Sequence, residues 1–156
     1  MIEISIPGFG HVALEHIVMD YNGTMACDGR VLDRVGGLVT TLSKQVTIHV
    51  VTADTFGRAA GELKDLPLTL SVLGEEAQDQ GKLAYIEALG SDVCACIGNG
   101  RNDAAMLERA RIGIALLQEE GASIKTVSAA DILCRNIAEA LTLFIREKRL
   151  IATLRS

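Results

Sequence analysis

The 156-residue chain contains no Trp, and aromatic residues of all kinds make up only 3% of it. Proteins that hold single-stranded nucleic acid stack its bases on aromatic side chains, so that role is excluded. Cationic surplus is missing too. The formal net charge of −5 argues against binding a phosphate backbone and gives no long-range attraction to anionic membranes. There is no uninterrupted apolar run long enough to cross a bilayer, and no basic segment leading into an apolar stretch as in a secretory signal. The expectation is a cytoplasmic protein with neither nucleic acid nor membrane as partner. The four cysteines, Cys27, Cys94, Cys96 and Cys134, form no Cys-x-x-Cys pair and have no His at zinc spacing. Cys94 and Cys96, two apart in an apolar run, read as small core residues.

Hydrophobic residues at 49% and charged residues at 22% fit one compact domain spanning residues 1–156. Glu3-Ile4-Ser5-Ile6 and Val12-Ala13-Leu14 flank Pro7-Gly8-Phe9-Gly10, which predicts an N-terminal β-hairpin feeding the first core strand. Strands are then expected at 16–20, 46–51, 68–73, 93–97, 112–116 and 131–133. Helices are expected at 31–42, 56–66, 80–89, 104–110 and 137–146, with Gly36-Gly37 weakening the first and Gly90 capping the third. This alternation predicts parallel pairing and a three-layer α/β/α sandwich around a Rossmann-like sheet. The tail from Arg146 mixes cations with Leu150, Ile151 and Leu154. It reads as a terminal helix or, because that apolar set needs cover, as a contact in a homo-oligomer.

Two strand ends carry chemistry. In His16-Ile17-Val18-Met19-Asp20-Tyr21-Asn22-Gly23-Thr24 an apolar strand ends on a carboxylate and a tight turn follows. Open α/β sheets bind ligands at that edge, and a carboxylate held there can attack a phosphoryl group. By itself the segment is equally an ordinary Asp-containing turn. The apolar run 93–97 likewise empties into Gly98-Asn99-Gly100-Arg101-Asn102-Asp103. Side by side, the two turns would gather Asp20, Asn99 and Asp103 around one hard cation such as magnesium. Thr52, ending the strand His49-Val50-Val51-Thr52, could bond a phosphate oxygen. Lys82 could neutralise phosphate charge, although a lone lysine is usually solvated and a lone Thr usually structural.

In this order, the four pieces resemble the haloacid-dehalogenase superfamily of phosphoryl-transfer enzymes, above all the phosphorylation domain of P-type ATPases and its soluble relatives. Asp20-Tyr21-Asn22-Gly23-Thr24 is similar to the first motif and Thr52-Ala53-Asp54 to the second. Lys82 falls at the third, and Gly98 to Asp103, with Ile112-Gly113-Ile114-Ala115 and Ala129-Ala130-Asp131-Ile132-Leu133 downstream, resembles the fourth region. The resemblance implies Asp20 as nucleophile, with Asn22, Thr52 and Lys82 completing the catalytic set. It implies phosphate held by Asn22, Gly23, Thr52, Ala53 and Lys82, and Mg2+ held by Asp20, the Asn22 carbonyl, Asn99 and Asp103.

Against that family the chain lacks parts. Only Met25 to Thr47 separates the first two motifs, too little for a nucleotide-binding domain, and 55–81 holds only a helix, a strand and a turn. A capless site suits a phosphorylated macromolecule, or a phosphorylated small molecule enclosed by a neighbouring subunit. The family's phosphatases usually have a second Asp two residues after the nucleophile, as general acid and then base; here it is Asn22. General acid–base help is worth about 10²–10⁴-fold, so slow hydrolysis is expected, best with leaving groups that need no proton. Asn99 replaces a metal-binding Asp, removing charge. A degenerate regulatory or binding module, or an accessory subunit of an ion-transport system, are the alternatives. Asn22-Gly23 and Asn99-Gly100 are also deamidation-prone pairs.

Overall fold

A computed structural model describes residues 1–54, 56–74 and 76–156. Thr55, which opens the stretch between the second and third motifs, lies outside the described residues. The chain starts with β1 (Ile2–Ile6) and β2 (Gly10–Leu14), an antiparallel hairpin pairing Ile2 with Leu14 and Ile4 with Val12. Next come β3 (His16–Met19) and a miniature hairpin of β4 (Ala26–Cys27) and β5 (Arg30–Val31). α1 (Val35–Leu42) leads to β6 (Thr47–Thr52), and α2 (Ala59–Leu63) to β7 (Thr69–Val72). α3 (Gln78–Leu89) and a 3₁₀ turn at Ser91–Val93 precede β8 (Cys94–Gly98). A second 3₁₀ turn at Arg101–Asp103 runs into α4 (Ala104–Arg109), then β9 (Ile112–Leu116) and α5 (Ile124–Ala129). β10 (Ile132–Cys134), α6 (Ile137–Ile145) and α7 (Glu147–Leu154) finish the chain.

Six strands form one parallel sheet in the order β10-β9-β8-β3-β6-β7. The chain steps outward from β3 to β7, returns to the opposite side of β3 with β8, and steps outward again. The reversal between β3 and β8 opens a crevice at their carboxyl ends, the place where such sheets bind ligands. β8 and β9 are buried along their whole lengths because both sheet faces are covered. Ile17, Met19, Ala95 and Ile97 pack toward α1, α6, α7 and the hairpin; Val18, Cys94 and Cys96 pack toward α3 and α4. Gly113 makes the second layer close. A Cβ there would stand 2.4 Å from the Leu107 carbonyl oxygen, so only glycine lets α4 lie this near β9.

The three-layer sandwich with its hairpin extension is the architecture expected, and the described residues contain no inserted cap. Boundaries differ where local signals mislead. Val31 belongs to β5, so α1 starts only at Val35, and α2 is five residues rather than eleven. α5 was not expected: Thr126 is its only buried residue, so it has no apolar stripe to read. α3 buries Lys82 as well as Ile86, so its inner face is not simply apolar. The tail's apolar set is covered within the chain, with Leu150 fully buried and Ile151 and Leu154 packed on the core. That removes the reason for a partner to cover it. Among the described residues no helix is long and apolar enough to cross a membrane.

Candidate active site

Asp20 follows β3 directly, and its backbone N–H continues the ladder by donating to Ile97 O of β8 at 3.0 Å. Its carboxylate therefore emerges at the switch point. Lys82, on the second turn of α3, reaches in from below. Its Nζ donates to Asp20 Oδ1 at 2.7 Å and to Asp103 Oδ1 at 2.6 Å. Lys82 and Asp103 are wholly buried. The other Asp103 oxygen, Oδ2, accepts from the backbone N–H groups of Asn99 and Gly100, both at 2.9 Å. One lysine thus binds the first turn to the second.

Charge does not balance here. Two buried carboxylates face a single ammonium, and an uncompensated buried charge is expensive. Burial pushes the Asp20 carboxyl up to about 7, and the Asp103 charge adds to the rise against the pull of Lys82. Burial draws the Lys82 ammonium down, but Asp103 and Asp20 outweigh it and hold its pKa above the ordinary value. Asn22 Oδ1 is buried with no hydrogen-bond partner among the described residues. Hard oxygen donors and surplus negative charge fit a divalent cation of the magnesium type.

A cleft of about 200 Å³ opens over Asp20, walled by Asn22, Thr52, Ala53, Asn99 and Glu120, among others. Thr52 Oγ1 accepts from Asp54 N at 3.0 Å, which fixes the hydroxyl at the end of β6. Asp54 itself turns away; its Oδ1 accepts from the N–H groups of Arg58 and Ala59 at the start of α2. Gly23 does not line the cleft. Its N–H donates to Ala26 O at 2.8 Å, and at φ +73° its Cα presses against Asn99, where a Cβ would lie 2.3 Å from Nδ2. The Asn99 amide donates to Gly121 O at 2.9 Å and accepts from Thr24 Oγ1 at 3.4 Å. In both Asn-Gly pairs the following N–H is hydrogen-bonded, Gly23 to Ala26 O and Gly100 to Asp103 Oδ2, which opposes the ring closure that deamidation needs.

One wall was not foreseen. The segment between β9 and α5 folds over both motif turns. Gln118 Nε2 donates to Gly23 O at 2.8 Å and to Thr24 O at 2.9 Å, while its Oε1 accepts from Ile137 N at the start of α6. Thr126 Oγ1 donates to Gly100 O at 2.5 Å. Glu120 Oε1 accepts from Asp28 N at 3.0 Å, joining this segment to the tip of the β4–β5 hairpin. Cys27, Asp28 and Glu120 offer ligand atoms within 4.8 Å of one another at this rim. In sequence the segment is a Gln-Glu-Glu-Gly loop, which reads as solvated.

No family model matches the sequence. A stretch of 59 residues, 38% of the chain, is 46% identical to an uncharacterized protein of Methanocaldococcus jannaschii, and it spans only 63% of that relative. Among solved structures, the chain is similar to 3-deoxy-D-manno-octulosonate 8-phosphate phosphatase of Moraxella catarrhalis, solved with magnesium and phosphate. The TM-score is 0.68 at 17% identity, covering 91% of this chain and 94% of that one. The cobalt-bound phosphatase of Haemophilus influenzae gives 0.71 at 13% identity, covering 92% and 94%. The Yersinia pestis phosphatase gives 0.70 at 14%, covering 96% and 95%. These likenesses span nearly the whole of each partner, and they show that the chain has the haloacid-dehalogenase-like fold.

Proposed function

We propose that the chain is a magnesium-dependent phosphohydrolase or phosphotransferase of the haloacid-dehalogenase type, working through an aspartyl-phosphate on Asp20. The observation that carries this reading is the single ammonium of Lys82 shared between Asp20, which lines the switch-point cleft, and Asp103 buried beneath it. Asp20 attacks phosphorus, a new O–P bond forms, and the ester P–O bond breaks with its electrons on the leaving oxygen. Lys82 and Thr52 stabilise charge spread over the phosphoryl oxygens, where positioning and electrostatics supply most of the catalysis. Magnesium, held by Asp20, the Asn22 main-chain carbonyl, Asn99 and Asp103, would supply charge neutralisation for the incoming phosphate. Asn22 positions substrate but has no proton to give, so aryl and acyl phosphates leave more readily than alkyl ones. The Thr52-Ala53-Asp54 segment, similar to the Thr-Gly-Asp of transport ATPases, supports the likeness to P-type ATPase phosphorylation domains. The substrate class is a phosphorylated small molecule, as for the octulosonate 8-phosphate phosphatases, or a phosphorylated macromolecule reaching the open cleft.

Magnesium-dependent release of phosphate from an aryl and an acyl phosphate tests the reading, together with beryllium fluoride as a phosphoryl mimic. Asp20→Asn should abolish both turnover and binding of the mimic. Turnover that survives this substitution would sink the assignment. The presence of amides at 22 and 99, where phosphatases of the resembled family usually carry carboxylates, favours a second reading as a binding module. It predicts affinity for phosphate or magnesium with no phosphate released from any ester.

A further inference from the structure

The proposed chemistry leaves a proton without an acceptor. When water attacks an aspartyl-phosphate, a base must take its proton, and the amide of Asn22 cannot. We infer that Glu120 is the general base for this second step, supplied from the β9–α5 segment instead of from the motif turn; the inference rests on the proposed phosphoryl-transfer reading.

Three observations carry it. Glu120 and Asp20 are, among the described residues, the two carboxylates lining the cleft. Its volume of about 200 Å³ leaves room for water between the carboxylate on the wall and the one at its base. Glu120 is also held in place rather than left on a free loop. On one side Gln118 bonds Gly23 O and Thr24 O; on the other, Gly121 O accepts from Asn99 Nδ2 and Ser123 N donates to Asn99 O at 2.9 Å. The carboxylate is held by its own hydrogen bond, Oε1 accepting from Asp28 N, while Oε2 takes no hydrogen bond from the described residues. Asp28-Gly29 is the two-residue tip of the β4–β5 hairpin, pinned beneath by Tyr21 Oη donating to Gly29 O at 3.0 Å.

The step balances. The water oxygen forms a bond to phosphorus, the P–O bond to Asp20 breaks and returns the carboxylate, and the water proton passes to Glu120 and then to solvent. Glu120 takes no part in forming the aspartyl-phosphate.

The test is pre-steady-state hydrolysis of an aryl phosphate with magnesium. Glu120→Gln should release a burst of phenol in the first turnover, slow the steady state by about 10²-fold or more, and accumulate acid-stable phosphoprotein. Adding Asn22→Asp to Glu120→Gln should restore the steady state, because the missing base is then returned from the first turn. An unchanged steady state in Glu120→Gln, or a slowed steady state with no burst of phenol, would overturn the inference while leaving Asp20 as nucleophile. A wild-type protein that releases no phosphate from the aryl phosphate, in a preparation where Glu120→Gln also forms no phosphoprotein, would overturn the phosphoryl-transfer reading itself, and Glu120 with it.

Discussion

Lys82 Nζ stands 2.6 Å from Asp103 Oδ1, and neither side chain is reached by solvent. The pair turns a loop contact into a foundation, because Asp103 also gathers the N–H groups of Asn99 and Gly100 while Lys82 holds Asp20. Removing one member of such a buried set leaves the others uncompensated. Lys82→Met should therefore lower stability by about 3–5 kcal/mol at neutral pH in the absence of magnesium. Combining it with Asp20→Asn should recover much of that loss, since one of the stranded charges disappears. Urea unfolding of the two variants measures this; a loss under about 1 kcal/mol in Lys82→Met would contradict the charge accounting.

A second polar chain crosses the opposite end of the same layer. His16 Nδ1 lies 3.0 Å from His49 Nε2, and His49 Nδ1 lies 3.0 Å from Tyr85 Oη. Burial, with the His16 ring beside it, pushes the His49 pKa from 6.5 down to about 4. The folded protein thus binds fewer protons than the unfolded chain between these values. His49's contribution to stability is complete above about 6.5 and drains away as the pH falls toward about 4. The loss is on the order of 2–3 kcal/mol. In His49→Gln the slope of unfolding free energy against pH across this window should flatten; an unchanged slope would assign the acid sensitivity elsewhere.

The core strands and both motif turns were legible because they rest on strong local signals, buried apolar runs ending in Asp or Gly-Asn turns. The Lys82 contact was legible only through the resemblance, since spacing alone does not show that a lysine at the start of α3 turns inward. Other parts were written in the sequence but too briefly. Asp28-Gly29, with φ of 49° and 75°, is a two-residue hairpin turn of the Asp-Gly type, yet its strands are two residues each and leave no alternating pattern. Gln118 and Glu120 could not be found by periodicity at all. Their roles come from a loop folding back across about 95 residues of sequence onto Gly23 and Asp28, and polar loop residues carry no sign of such partners.

Magnesium and the Asp20 proton should compete. The Asp20 carboxyl is raised in the folded state to about 7, so the stability it contributes is complete below its ordinary value of 3.8 and is lost as the pH rises through about 7. A cation that balances the charge restores this loss. The rise in melting temperature on adding magnesium should accordingly be larger above pH 7 than below it, approaching the equivalent of about 2.7 kcal/mol at a hundred times the dissociation constant. Asp20→Asn should erase the pH dependence of the shift. An equal magnesium shift on both sides of pH 7 would place the cation away from Asp20.

Asn99 presents two demands that one substitution separates. Its Nδ2 donates to Gly121 O at 2.9 Å, a bond that an Asp at this position cannot make; a carboxylate would instead face that carbonyl. Asn99→Asp should therefore cost about 1–3 kcal/mol of stability without magnesium. If the side chain also faces the cation, the added charge should lower the magnesium concentration needed for half-saturation, so stability and affinity move in opposite directions. Thermal unfolding and magnesium titration of this variant read the two effects independently. A loss of stability with no gain in magnesium affinity would make Asn99 a strut between the loops and remove it from the proposed ligand set.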